Sequence, residues 1–184
     1  MDPANTIYIP TKDLGGVSRA ISDTEDGTYE HMRKKLYEGK TFKAGDVAVL
    51  DSVEQPNGRR YIILAFGPDC RNTEKEAIAK KLNTLKNTYI KALQEADKLN
   101  KSSKIKNLDK KIAFPVISTG IFACPPEGAI KAAVDGVKEY LWQDTLKETK
   151  TSLEEIRFVI YPDKNSAELM DMFRGALGLE SAYY

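Results

Sequence analysis

Ile112-Ala113-Phe114-Pro115-Val116-Ile117-Ser118-Thr119-Gly120-Ile121-Phe122 is the stretch from which the rest of the chain is read. Its first six residues are mostly apolar, too few for an ordinary helix and rich in bulky types, so they read as a strand buried on both faces. The strand runs into a small polar loop, Ser118-Thr119-Gly120, and then into Pro125-Pro126-Glu127, where a long amphipathic pattern begins. Strand, loop and helix in that order leave backbone N–H groups exposed beside a helix N-terminus, an arrangement suited to an anion. Gly120 lets the backbone approach a ligand with no Cβ in the way. Phe122 is a flat face for a sugar or a base. An ordinary strand-to-helix turn with one core Phe gives the same string, and the loop alone does not separate the two.

At 184 residues the chain is expected to form one domain, 1–184, with a substantial core. Lys and Arg total 28 and Asp and Glu 27, a net charge of +1, so no strongly basic nucleic-acid footprint is present. No apolar run approaches the roughly 20 residues of a membrane span. Met1-Asp2-Pro3-Ala4-Asn5 has neither the basic start nor the apolar core of a signal peptide. Cys70 and Cys124 lack metal-ligand spacing, and with one histidine a Cys/His zinc site is not expected. No metal and no cofactor are therefore predicted. A reducing, cytoplasmic setting fits this cysteine usage, although the two cysteines are free to pair.

Gly15-Gly16 precedes Val17, Ala20 and Ile21, a second loop feeding a helix. Tyr29, Met32, Arg33 and Leu36 continue at helical spacing, and Gly39 reads as a stop. His31 on that helix has no acidic or nucleophilic neighbour and reads as a surface or packing residue. Val47 to Leu50 and Tyr61 to Phe66 are strands, the second apolar throughout and therefore central, with a turn at Pro56-Asn57-Gly58 between them. Thr73 and Glu76 have capping-box spacing for a helix whose stripe is Ile78, Leu82, Leu85, Tyr89, Leu93 and Ala96. Lys101-Ser102-Ser103-Lys104 is linker-like but too short to separate domains. Ile130, Val134, Val137 and Leu141 form the next stripe, with Trp142 beside it as a packing residue. Ile156 to Tyr161 is the last strand, and Leu169, Met170, Phe173 and Leu177 close the chain as a helix. Helix, helix, strand, strand, helix, strand, helix, strand, helix is the order of a layered α/β domain. In such sheets ligands lie at the carboxyl ends of the strands, where the two glycine loops gather.

Taken together, these pieces resemble the macro domain family. Pro3-Ala4-Asn5 is similar to the end of its Asn-Ala-Ala-Asn motif, with Asp2 for the first Asn. Gly15 to Ile21 resembles its glycine-rich loop and helix. Gly45 to Val49 and Tyr61 to Pro68 resemble its middle strands, Ile117 to Phe122 its second phosphate loop, and Tyr161-Pro162-Asp163-Lys164 the strand end that flanks adenine. The matches keep family order from residue 3 to about residue 177, and their style is nearest to viral macro domains. The resemblance implies a three-layer α/β/α fold with a mixed, mostly parallel sheet. The sequence opens at the Asn motif, so the usual first strand or strands, with the Asp that holds the adenine amino group, are expected to have no counterpart within these residues. The loop between Asn5 and Gly15 is also longer than usual.

What the resemblance implies for function is ADP-ribose binding, with Gly15, Gly16, Val17 and Ser18 and the run Ser118, Thr119, Gly120, Ile121 and Phe122 around the diphosphate and distal ribose. Tyr161 and Asp163 are expected at the adenine. Asn5, whose amide both donates and accepts, is the catalytic candidate. Hydrolysis of mono-ADP-ribose from modified proteins is one reading, and a non-catalytic ADP-ribose reader is the alternative. Many hydrolytic members carry Asp where this chain has Ser18, although similar viral members without it are hydrolases. The expected partners are ADP-ribose or a mono-ADP-ribosylated protein. Nucleic acid is not favoured, and a membrane is not expected.

Overall fold

Period-two alternation along one strand sets the layers. The computed structural model describes residues 1–13, 15–23, 27–50, 61–102, 110–146, 150–162 and 164–179. Its elements are β1 (Asp2–Pro3), a 3-10 turn (Thr11–Asp13), α1 (Gly16–Asp23), α2 (Thr28–Tyr37), β2 (Val47–Leu50), β3 (Ile62–Ala65), α3 (Lys75–Ser102), β4 (Lys111–Phe114), α4 (Pro126–Leu146), β5 (Glu155–Phe158) and α5 (Ser166–Leu177). From α1 onward this is the expected order. In β3, Ile63 and Ala65 join the apolar cluster built on α3 and α4, while Leu64 and the following Phe66 join the cluster built on α1 and α2. Successive side chains of a strand leave on opposite faces, so one apolar strand supplies both cores. In β2, Val47 and Val49 pack against the first cluster, and Ala48 and Leu50 belong with the second.

The pairing is mixed. β3 lies between β1, parallel, and β2, antiparallel, while β4 and β5 pair in parallel. As expected, β3 is central: Leu64 and Ala65 are fully buried. The amino group of Met1 donates to the Ala113 carbonyl at 2.9 Å, which brings β1 beside β4 and links the two sheets. The Cys70 N–H donates to the Phe122 carbonyl at 2.8 Å, so β3 and β4 end on the same edge. Through the parallel pairings, β1 and β5 end there too. The segments following β1, β3, β4 and β5 therefore share one side of the molecule.

Three local expectations are corrected. The strand at Ile112 is Lys111–Phe114, with Ile112 and Phe114 buried and Lys111 and Ala113 exposed, so it is covered on one face only. The layer of α1 and α2 covers the sheet around β3 and leaves the outer face of β4 open. Trp142 is 66% exposed rather than packed, one position beyond the α4 stripe where Leu141 itself is already surfacing. Thr73 makes no capping box: its hydroxyl donates to the Arg71 carbonyl and accepts from Lys81. His31 is exposed. The turn at Pro56-Asn57-Gly58 and the end of the Lys101 to Lys104 run lie outside the described residues.

Candidate ligand-binding site

The loop after β4 is shaped from below by α3. Tyr89 is fully buried on the α3 stripe, and its hydroxyl accepts from the Ile117 N–H at 3.0 Å and donates to the Pro115 carbonyl at 3.1 Å. Burial holds that phenol in its protonated form well above the usual range. Beyond Ile117 the chain turns tightly. Ser118 sits at φ 66° and Ala123 at φ 47°, Cys124 N–H returns to the Ser118 carbonyl at 2.9 Å, and Ala123 N–H to the Gly120 carbonyl at 2.9 Å. The Thr119 hydroxyl closes on the Val116 carbonyl at 3.0 Å. Among the described residues, the N–H groups of Ser118, Thr119, Gly120, Ile121 and Phe122 have no protein partner. A Cβ added at Gly120 would meet no atom within 4 Å, so the backbone there faces open space.

A second wall presses on this loop. A Cβ at Gly67 would lie 2.2 Å from the Ser118 Oγ and 2.6 Å from Ile117, so only glycine permits the approach. Cys70 and Cys124 form a disulfide across 54 residues of sequence. The Arg71 guanidinium, gripped by Asp69, lies 5.8 Å from the Phe122 ring centroid. Phe122 is half-buried and shares its surroundings with that cation. Ile121 is 69% exposed, and Ile130 and Val134 of the following helix anchor α4 in the core.

Across the edge, the loop after β1 rests on one face of α2. Tyr29, Arg33 and Tyr37 recur at four-residue spacing and so stack on that face. Tyr37 donates to the Asn5 carbonyl at 2.5 Å, Tyr8 donates to Glu30, and Arg33 Nη1 donates to the Ile9 carbonyl at 3.2 Å. Arg33 is fully buried among the rings of Tyr8, Tyr29 and Tyr37, at 5.6 to 5.9 Å from their centroids. Burial and Glu30 push the Tyr8 hydroxyl up to about 12. The Asn5 main chain is thus fixed, while its side-chain amide has no protein partner among the described residues.

Asp2 is the floor of this half. It is fully buried and accepts from Ser18 Oγ at 2.6 Å and from the Tyr29 hydroxyl. Burial pushes its carboxyl above the usual value, and the hydrogen bonds from Ser18 and Tyr29 and the charge of Arg33 only partly oppose this. Ser18 is therefore turned into the protein, with its hydroxyl committed to Asp2. Gly15 and Gly16 are exposed, and Gly16 opens α1 at φ 64°. Val17 packs into the α1 and α2 cluster and offers only its backbone. The N–H groups of the first turn of α1 have no carbonyl partner within the helix.

Asn5, Gly15, Gly16, Ser118, Thr119, Gly120, Ile121 and Phe122 thus belong to segments that follow β1 and β4 on one edge. Tyr161, 80% exposed, follows β5 on the same side. Asp163 lies outside the described residues. The sequence reading did not single out Tyr37, Tyr89 or Arg71. A tyrosine on an apolar helix stripe, whose hydroxyl must find a partner when buried, was the available signal for Tyr89. Among the described residues no three side chains cluster as metal ligands, and no helix is long and apolar enough to cross a membrane.

Comparison with known proteins agrees with this layout. The Macro domain family model matches residues 3–133. An uncharacterised protein of Pyrococcus furiosus is 33% identical over 161 residues, covering 82% of this chain and 78% of that protein. An ADP-ribose glycohydrolase of Archaeoglobus fulgidus is 25% identical over 171 residues, covering 89% of this chain and 79% of that protein. A mutant macrodomain of Oceanobacillus iheyensis, solved with ADPR, superposes with a TM-score of 0.67 at 21% identity, over 95% of this chain and 82% of that one. A Trypanosoma brucei macrodomain in complex with ADP-ribose gives 0.67 at 18% identity, over 96% of this chain and 62% of that one. With its sheet order, its two loops on one edge and a family match over most of its length, the chain belongs to the macro domain family.

Proposed function

We propose that residues 1–184 form one domain that binds ADP-ribose along the edge where β1, β4 and β5 end, and that it removes mono-ADP-ribose from modified protein side chains. The observation that carries this reading is the run of unpartnered N–H groups from Ser118 to Phe122, fixed by Tyr89 below and facing open space at Gly120. Preset donors stabilise a diphosphate with little reorganisation, and the first turn of α1 adds its own N–H groups and dipole. The distal ribose lies between the Asn5 amide and Phe122, and the adenine near Tyr161 and Asp163. The similarity to the Archaeoglobus glycohydrolase supports the reading, as do the ADP-ribose complexes of fold relatives. A cytoplasmic setting is part of the proposal, but it no longer rests on reduced cysteines, because Cys70 and Cys124 are paired.

In the reaction, a water oxygen bonds to the anomeric carbon as the bond from that carbon to the protein side chain breaks, its electron pair leaving with the side-chain atom. Asn5 orients the water, and a phosphate oxygen of the substrate accepts its proton. One observation favours a second reading, that of a non-catalytic reader. Ser18 stands where many hydrolytic relatives carry Asp, and its hydroxyl is committed to Asp2.

Release of label from an automodified ADP-ribosyltransferase, timed beside a calorimetric titration with ADP-ribose, separates the two. Asn5→Ala is expected to lower turnover more than tenfold, a loss above about 1.4 kcal/mol, with a much smaller loss in affinity. A wild-type protein that binds ADP-ribose yet releases no label over hours is the reader.

A further inference from the structure

The Cys70–Cys124 disulfide joins the segment after β3 to the end of the loop after β4. One partner is the firmer. The segment after β3 is tied to α3 by Lys81, whose ammonium donates to the Asp69 carbonyl and to Thr73 Oγ1, and Asp69 grips Arg71 through Nε and Nη2. The other partner is the loop with unpartnered N–H groups. Three further contacts tie the two segments: Cys70 N–H to the Phe122 carbonyl, Gly67 against Ser118 and Ile117, and Arg71 against Phe122. These hold the disulfide at the base of the loop rather than out in solvent, and Cys70 and Cys124 are 5% and 1% exposed.

We infer that Cys70–Cys124 is a reducible redox site coupled to ligand binding, in which the disulfide raises affinity for ADP-ribose and bound ADP-ribose resists reduction. The inference rests on the loop from Ser118 to Phe122 being the diphosphate site. The reductant is a dithiol. Its thiolate attacks one cysteine sulfur, the S–S bond breaks and the other cysteine leaves as a thiolate that takes up a proton. The second reductant sulfur, as a thiolate, then attacks the reductant sulfur of the mixed disulfide and expels the first cysteine as a thiolate that also takes up a proton, so two electrons and two protons pass to the protein and the reductant becomes a cyclic disulfide. Cleavage removes the covalent tie between the loop and its firmer neighbour, so the N–H groups lose part of their preset aim. Because the oxidised form holds the loop better for ADP-ribose, bound ADP-ribose moves the thiol–disulfide equilibrium toward the disulfide. The two effects are one coupling seen from either side and must have equal size.

The test uses the intact chain and dithiothreitol. Calorimetry gives ADP-ribose affinity for the oxidised and the reduced protein, and far-UV circular dichroism checks that both are folded. Separately, the protein is equilibrated over ratios of reduced to oxidised dithiothreitol, with and without saturating ADP-ribose, then acid-quenched, alkylated and weighed. The reduced form is expected to bind at least about fivefold more weakly, with the equilibrium moving toward the disulfide by the same factor when ADP-ribose is present. The double variant Cys70→Ala, Cys124→Ala should bind like the reduced form and ignore the reductant. Equal affinity in both forms with an unmoved equilibrium overturns the inference and leaves the binding site standing. Global unfolding on reduction also overturns it, because the bond would then be a staple of the whole fold. Binding to neither form removes the site itself, and the inference with it.

Discussion

The segments after β1 and after β4 meet the same edge of the sheet but are fastened in different ways. Polar contacts hold the first: Tyr37 on the Asn5 carbonyl, Arg33 on the Ile9 carbonyl, and Asp2 accepting from Ser18 and Tyr29. The second rests on a disulfide, on backbone jammed against Gly67 and on Tyr89, with a largely apolar core beneath. Buried ionisable groups make the first region answer to pH, since their charge must be held against desolvation. The carboxylate in the contacts of the second region is Asp69, and its hydrogen bonds from the Arg71 guanidinium hold it below the usual carboxylate range, so the shape of this region should be insensitive to pH except in strong acid. One half of the site is thus adjustable and the other is close to fixed.

The largest expected effect falls on the fixed half. Gly120→Glu should abolish ADP-ribose binding, by more than about a hundredfold, because a carboxylate would project into the space that the diphosphate needs. The chain should still fold, since a Cβ there meets no atom within 4 Å. Calorimetry on a folded variant with unchanged affinity would show that the fixed half is not the anion site.

A pair of tyrosine substitutions sharpens the contrast next. Tyr89→Phe leaves the buried Ile117 N–H and the Pro115 carbonyl without their partner, so it should cost about 1–3 kcal/mol of stability and weaken binding as well. Tyr37→Phe removes one bond to a part-buried carbonyl, which water can replace, so about 0.5–1.5 kcal/mol is expected. Urea unfolding of both variants gives the order. If Tyr37→Phe costs more, the polar half is the more rigid one.

How far the sequence carried depended on the range of the interaction. β3 was legible because an apolar run names its own burial, and the α3 stripe was legible because Leu85, Tyr89 and Leu93 recur at helical spacing. The exposed outer face of β4 was not, because whether a helix covers Ala113 depends on where α1 and α2 land. The strand, tight loop and helix around Ser118 to Phe122 were readable from their local string, and the use of that loop for an anion is the proposal that Gly120→Glu tests. The loop's fastening to Cys70, Gly67 and Arg71 joins residues about fifty positions apart, and no periodicity reports that. Motif position points to Ser18 as a ligand residue, but the partner that takes its hydroxyl, Asp2, lies sixteen positions earlier, beyond what the motif reports.

The smallest expected effect tests the adjustable half through that hydroxyl. Burial raises the Asp2 carboxyl above its ordinary 3.8, so between that value and the raised one the folded chain holds a proton that the unfolded chain has released. Stability from this group is therefore fully present below the ordinary value and is lost as pH rises through the raised one. Ser18→Ala removes a donor that favours the charged carboxylate, which moves the folded value higher and extends the loss. The variant should cost about 1 kcal/mol at neutral pH, with a smaller cost in acid, where Asp2 is protonated in both states. Affinity for ADP-ribose at neutral pH should change little, because the backbone donors of α1 remain. Thermal melts of wild type and Ser18→Ala across pH 3 to 8 measure the difference. A cost that stays constant over that range would mean that Ser18 acts by packing alone, and that Asp2 does not make the β1 half of the site answer to pH.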